Sequence, residues 1–324
     1  MQGRIVEIAQ DDQYLSVYRG FLVVSHRGDE RARVALDDIG ALIGNAHGLS
    51  YSNNVMIELA ERGVPTILCA RNHNPAAVVW PLDSHYQQAG RIQSQIAATS
   101  PVKKRIWKQV IERKLLEQAR LLELAGKSHR VVHRLALKVR VGDRGNLEAR
   151  AARHYWRLLF GATFRRNRDT PGTNALLNYG YAVLRATTAR AVVAVGLHPS
   201  IGIYHRSGEN AFQLVDDLME PYRPAIDAVV WSLASAGLEE VTPETKRRLA
   251  LSMFADRSTT SGVTPLCRCI ELTAMSLVEV LGSGQESLAF PELLSTLDTA
   301  ADATKGDRDV SDVGIPPDVD DGDV

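Results

Sequence analysis

Residues 101–126 read PVKKRIWKQVIERKLLEQARLLELAG, and this stretch decides the fold class. Pro101 stands at the first helical position, where a missing N–H costs nothing, and Gly126 stands where helices end. From Gln87 onward the chain reads as helical, with further helices predicted over 146–164, 171–195, 210–237, 244–256 and 262–281. Upstream the pattern is different. Residues 1–82 read as β-rich: GRIVEIA (3–9), YLSVYRG (14–20) and FLVVSHR (21–27) are short strand candidates separated by QDDQ and a glycine turn. RVALDDIGALIG (33–44) continues that pattern, and VPTILCA (64–70) and AAVVWPL (76–82) return to it. One helix interrupts them. Ser52-Asn53 offers its N-cap, NVMIELAERG its apolar spacing, and Gly63 its end. The hinge is expected at Leu82–His85. The predicted fold class is α+β, with a small β-rich domain over 1–85, a larger all-α domain over 86–297 and an acidic tail over 298–324. The tail has Pro316-Pro317, many Asp and Gly and no aromatics, and it reads as disordered.

At 324 residues and 45% hydrophobic the chain can bury a sizeable core. Its three cysteines, Cys69, Cys267 and Cys269, are too few for a disulfide framework and fit a reducing compartment. MQGRIVEIAQ at the start has no signal-peptide pattern, and AVVAVGL (191–197) is far too short to span a bilayer, so a cytosolic location is expected. The zero net charge hides an asymmetry. Residues 298–324 carry nine acids against Lys305 and Arg308, whereas 101–168 carry nineteen Lys and Arg against five Asp and Glu. Such an excess is the electrostatic footprint of a polyanion partner, which favours nucleic acid over a set of ordinary solvated faces. Lys103, Lys104 and Arg105 with Lys108 form its densest cluster. No GxxxxGK[ST], GxGxxG or GxSxG motif is found, which disfavours ATP hydrolysis and serine-hydrolase chemistry.

The chemistry concentrates in three places. In NAFQLVDDLMEPYRP (210–224), Glu220 lies three residues from Asp217 and four from Asp216, so on a helix the three carboxylates repel unless a positive charge intervenes. In GNLEARAARHYWRLLF (145–160), Asn146 is the expected N-cap. Glu148 shares a face with Ala152, Tyr155 and Leu159, beside a stripe of Arg150, Arg153 and Arg157. Glu148 also reads as a first-turn acid favoured by the helix dipole. In GLHPSIGIYHRSGEN (196–210), His205 ends a loop just before the carboxylate helix. Carboxylate, imidazole and carboxylate together suit a divalent cation, Mg²⁺ or Mn²⁺, with the imidazole favouring Mn²⁺. The rival reading makes DDLME a solvated face paired with arginines.

GNLEARAARHYW, TNALLNYGYAVL (173–184), GLHPSIGIYH and FQLVDDLMEPYRPAIDAVV occur in the order and spacing of the CRISPR-associated integrase family, which inserts new spacers into CRISPR arrays. The resemblance covers roughly residues 1–290, and NHNPAAVVWPL (72–82) resembles the variant of type II systems. The resemblance implies metal ligation by Glu148, His205 and Glu220, which are also the catalytic residues, with Asp217 at a neighbouring acidic position. Many members carry Asp as the third ligand, which leaves direct or water-mediated binding by Asp217 open. It implies a nuclease and integrase that works by transesterification, in which a DNA 3′-hydroxyl attacks a phosphodiester at the repeat boundary. Arg150, Arg153, Arg157 and Arg206 then contact phosphates. Tyr155 and Trp156 either pack the helix or stack a base, and Asn174 and Asn178 either orient ligands or bridge helices. The partners implied are double-stranded DNA, a second copy of the chain docked through the β domain, a small ferredoxin-like second subunit and, in type II systems, the effector nuclease with an accessory protein. A stand-alone metal-dependent DNA nuclease or resolvase in repair and a non-enzymatic DNA-binding scaffold are the competing readings.

Overall fold

A computed structural model describes residues 4–70, 75–79, 87–205, 209–259, 262–283 and 287–291. The hinge at 82–85, Arg206, the acidic tail and parts of the 72–82 stretch lie outside the described residues.

The β-rich expectation holds, and the strands divide into two four-stranded sheets. β1 (Arg4–Ile8), β2 (Gln13–Tyr18), β3 (Phe21–His26), β4 (Asp29–Ala35), β5 (Ile39–Gly44) and β6 (Ser50–Tyr51) precede α1 (Asn53–Glu61), and β7 (Thr66–Cys69) and β8 (Pro75–Val79) follow it. One sheet runs β1-β5-β7-β8, with β8 antiparallel and the other pairings parallel. The other runs β4-β3-β2-β6. The β2–β3 turn is Arg19-Gly20, both at positive φ (48° and 81°), the two-residue geometry that matches strand twist. The single predicted run 33–44 divides at a turn over Leu36–Asp38, where the Leu36 N–H donates to the Gly20 carbonyl at 2.9 Å and the chain passes from one sheet to the other. Leu15, Leu22, Leu42, Val55 and Leu59 fill the space between. The far face of the first sheet packs Ile43 and Ile67 against Ala186 of the helical part.

That helical part comprises α2 (Gln88–Ala97), α3 (Ser100–Leu124), α4 (Arg130–Ala136), α5 (Leu147–Phe160), α6 (Thr173–Ala194), α7 (Gln213–Met219), α8 (Arg223–Ser235), α9 (Pro243–Leu251) and α10 (Leu266–Ser283). Between α9 and α10 a two-stranded antiparallel ribbon, β9 (Asp256–Thr259) and β10 (Gly262–Pro265), takes the residues at the ends of two predicted helices. α3 is the spine: Ile106, Trp107, Val110, Ile111, Leu115 and Leu122 are all buried in the main core. No described helix is long and apolar enough to cross a membrane.

Candidate active site

Four elements meet at the site: α3, the start of α5, the loop before α7 and the α7–α8 junction. The predicted helix over 210–237 is broken there. α7 ends at Met219, Glu220–Tyr222 form one tighter 3₁₀ turn, and α8 begins at Arg223 with Pro224 near its start. The break places Glu220 at the junction, buried, instead of mid-helix. Glu148 lies in the first turn of α5. Asn146, the expected cap, sits in a left-handed conformation (φ 46°) and its side chain caps nothing. The buried Asp143 does that work, accepting from the Leu147 N–H at 2.9 Å and the Glu148 N–H at 3.1 Å.

Glu148 and Glu220 converge on one cation. The Lys114 Nζ, from the middle of α3, lies 2.6 Å from Glu148 Oε1 and 2.6 Å from Glu220 Oε2. Arg223 Nε donates to the other oxygen, Glu220 Oε1, at 2.9 Å. The Glu220 Oε2 contact is ionic only: this buried oxygen has no aligned hydrogen bond. Burial alone would raise the Glu220 pKa, but Arg223 and Lys114 outweigh it and hold the carboxyl down to about 2. The same two carboxylates raise the pKa of Lys114 against the opposing effect of burial, and Glu220 does so for Arg223. A carboxyl whose folded pKa lies below its unfolded value adds stability above the unfolded pKa and loses it as pH falls through the folded one. Acid titration should therefore remove the Glu220 contribution between about pH 4.5 and about pH 2. The Glu220→Gln protein should show a shallower fall in unfolding temperature across that window.

The loop that carries His205 is pinned at both ends. Gln95 of α2, buried, accepts from the His198 N–H at 2.7 Å and donates to the carbonyls of His198 and Ile201 at 3.1 and 3.3 Å. Asp217 of α7, fully buried, accepts from the N–H groups of Ile203 (2.6 Å), Tyr204 (2.9 Å) and His205 (3.3 Å). Its Oδ1 also lies 2.6 Å from His205 Nδ1. That hydrogen bond raises the His205 pKa, opposed by partial burial. The loop can wrap so tightly because residue 202 is Gly: a Cβ there would lie 2.7 Å from the His205 carbonyl oxygen and 3.1 Å from Asp217 Oδ2. Tyr204 stacks on the buried Trp107 of α3, ring centroids 4.3 Å apart, and the His205 ring meets both edge-on.

The positive charge that makes 216–220 tolerable is therefore supplied three ways. Asp216 takes Arg185 at 2.6 and 2.9 Å, Asp217 takes the loop N–H groups and His205, and Glu220 takes Lys114 and Arg223. Asp217, expected among the metal ligands, has both oxygens engaged by N–H donors. His205 is held toward Asp217, and among the described residues no three His, Cys, Asp or Glu side chains gather round one point. A divalent cation nevertheless suits the acidic pair. Two carboxylates already point at one cationic nitrogen, and a buried carboxylate oxygen lacks an aligned donor.

The arginine stripe lies where the sequence places it: Arg150, Arg153 and Arg157 are exposed along α5. Tyr155 is buried, its hydroxyl on Asp227 Oδ2 at 2.6 Å, and Trp156 packs among Tyr155, Phe160 and Phe164. Both residues pack the helix. Asn174 and Asn178 do not point at the carboxylates. They take Arg166 at 3.0 and 2.7 Å and clamp the carbonyls of Arg165 and Arg168 at 3.1 and 2.7 Å. On α3, Lys104 and Arg105 are exposed, Lys103 is half-buried, and Lys108 pairs with Glu112 at 3.3 Å. Lys104 precedes Lys114 by ten residues of one helix, about 15 Å along its axis. The cluster thus shares an element with the site, which its forty-residue distance from Glu148 in sequence conceals.

Residues 6–252 match the family described as CRISPR associated protein Cas1. The chain belongs to the Cas1 family. A Cas1 relative, the CRISPR-associated endonuclease Cas1 of Neisseria meningitidis serogroup C (strain 8013), is 35% identical over 246 residues, 75% of this chain and 80% of the relative. Among solved structures, a casposase bound to integration product superposes with a TM-score of 0.73 at 19% identity, covering 90% of this chain and 93% of that one. A Cas6-RT-Cas1–Cas2 complex gives 0.70 at 21% identity, covering 88% of this chain and 36% of that one. At those identities the two structures speak for the Cas1 fold alone.

The residues that sequence reasoning missed are the cations. Lys114 counted only as one of nineteen positive charges. Arg223, three residues after Glu220, carried a usable signal in its i,i+3 spacing. The cation Arg185 had no local signature, and the capping acid Asp143 was masked by Asn146, a capping residue type nearer the helix.

Proposed function

We propose that this chain is a metal-dependent DNA endonuclease and integrase that inserts new spacer DNA into a CRISPR array by transesterification. The observation that carries the proposal is the convergence of Glu148 and Glu220 on one cation position, in a chain of the Cas1 family. Glu148, Glu220 and His205 would hold Mg²⁺ or Mn²⁺, which supplies charge neutralisation at the scissile phosphate and activation of an attacking oxygen. Asp217 acts through His205. As a carboxylate acceptor on Nδ1 it favours the tautomer with Nδ1–H, which leaves Nε2 as the electron-pair donor. Arg223 keeps Glu220 ionised and oriented. The remaining contribution is positioning: phosphoryl transfer needs the attacking 3′-hydroxyl in line with the leaving oxygen. The exposed arginines of α5 supply phosphate contacts next to Glu148.

The partners belong to the same proposal. The casposase structure is bound to integration product, and the second structure is a complex with Cas2. The first supports DNA, and the second a small second subunit, as partners here. Tyr14, Tyr18, Phe21 and Tyr51 are exposed on the β4-β3-β2-β6 sheet, which supports the β domain as the docking face for a second copy.

Two experiments test this reading. Incubating the protein with a labelled DNA duplex, a supercoiled target and Mn²⁺ should yield label covalently joined to the target, and chelation should abolish it. Cleaved but unjoined DNA would favour the stand-alone nuclease, and DNA binding without cleavage the scaffold. Replacing Lys103, Lys104, Arg105 and Lys108 together with Ala should weaken binding to every DNA sequence alike. It should also flatten the salt dependence by about 0.9 log units for each phosphate that is no longer neutralised. An unchanged slope would move the DNA path to the arginines of α5 and the 165–168 loop.

A further inference from the structure

We infer that Lys114 is the resident counter-ion of the site, and that a divalent metal enters by displacing its ammonium from between Glu148 and Glu220. This inference rests on the metal-dependent reading above. The Lys114 side chain is only 12% exposed, and its Nζ lies at 2.6 Å from one oxygen of each carboxylate. A metal bound by those same two oxygens would share their narrow gap with the ammonium. Two cations that close repel strongly in a partly dry site, so both cannot keep the position. Arg223 presents no such conflict, because it bonds the other Glu220 oxygen. Lysine suits the exchange: its charge is compact and its four-carbon stem swings, whereas the planar guanidinium of arginine grips carboxylates through a fixed fork. The ammonium thus keeps two otherwise repelling carboxylates facing each other in the metal-free protein, and it opposes metal binding by occupying the place. Lys114 is a positioning residue for the metal site and not itself a catalytic one.

The test needs no DNA and no turnover. Mn²⁺ binding is measured by calorimetry, and unfolding temperature is measured in chelator and in Mn²⁺, for the full-length protein, Lys114→Met and Lys114→Arg. Lys114→Met should bind Mn²⁺ about tenfold or more tightly than the parent, because no cation must leave. Its unfolding temperature should drop in chelator and recover in Mn²⁺ by more than the parent gains. A Lys114→Met protein that folds only with Mn²⁺ present would be the extreme form of the same result. Lys114→Arg should keep its stability in chelator and bind Mn²⁺ more weakly than the parent. Equal Mn²⁺ affinity in all three proteins would overturn the displacement while leaving the metal-dependent reading standing. Weaker binding by Lys114→Met would overturn it too, by making Lys114 an aid to the metal. Absence of Mn²⁺ binding in all three proteins would overturn both readings together.

Discussion

Glu148→Ala is expected to lower strand joining by at least about a thousandfold while moving the unfolding temperature by only a few degrees. A metal Lewis acid is worth several kcal/mol to a phosphoryl-transfer transition state, and each 1.36 kcal/mol is a factor of ten. The fold should tolerate the loss because Glu148 is 29% exposed, and Lys114 keeps Glu220 as a partner when Glu148 is gone. Glu220→Ala makes a poorer test of the same role. Glu220 is buried between Lys114 and Arg223, and removing it strands Arg223 and leaves Lys114 with Glu148 alone. Breaking a buried pair in that way costs about 3–5 kcal/mol, so lost activity would be mixed with lost fold. The alanine variant that leaves the structure intact is thus the one at Glu148, not the one at Glu220. The measurement is joined product per unit time beside thermal unfolding, for Glu148→Ala and for the isosteric Glu220→Gln. Full activity in Glu148→Ala removes that residue from the site.

Asp217→Ala should be the most destabilising single change at the site, by roughly 3–5 kcal/mol. It leaves three loop N–H groups and the His205 ring without their acceptor, under a loop closed by Gly202. Unsatisfied buried donors cost about 1–3 kcal/mol each, with part recovered where water enters. The unfolding temperature should fall by about 10 °C, and activity should fall with it because His205 is no longer held. A loss below about 1 kcal/mol would mean that the loop keeps its shape without Asp217, and that the carboxylate is free for other work.

The two-part architecture is legible in the sequence because its signals are local. Strand alternation before Leu82, Pro101 and Gly126 around one long helix, and the glycine turn at Gly20 each need only a few neighbouring residues. The division of the strands into two sheets is not legible, because β1 pairs with β5 across the three intervening strands β2, β3 and β4. The β9–β10 ribbon reads as helix ends for a related reason: a four-residue strand carries too little period to declare itself. At the site, the acids and the histidine can be picked by type and spacing. Their counter-charges cannot, since Lys114 reaches Glu148 and Glu220 only once α3 crosses beneath α5 and the α7–α8 junction. Asn146 and Asp143 show the same limit at close range. Both residue types cap helices, and only the left-handed backbone at Asn146 hands the N–H groups of α5 to Asp143.

Under the proposed function, the decisive step is direct attack of a DNA 3′-hydroxyl on the target phosphodiester, supported by Glu148, Glu220 and His205. It is tested by comparing two otherwise identical labelled duplexes, one ending in 3′-hydroxyl and one in 3′-hydrogen, with supercoiled target and Mn²⁺. The expected result is label joined to the target from the 3′-hydroxyl duplex alone, none from the 3′-hydrogen duplex, and none from either with Glu148→Ala. Target nicking at equal rates with both duplexes, with no joined label, would contradict it and make water the nucleophile.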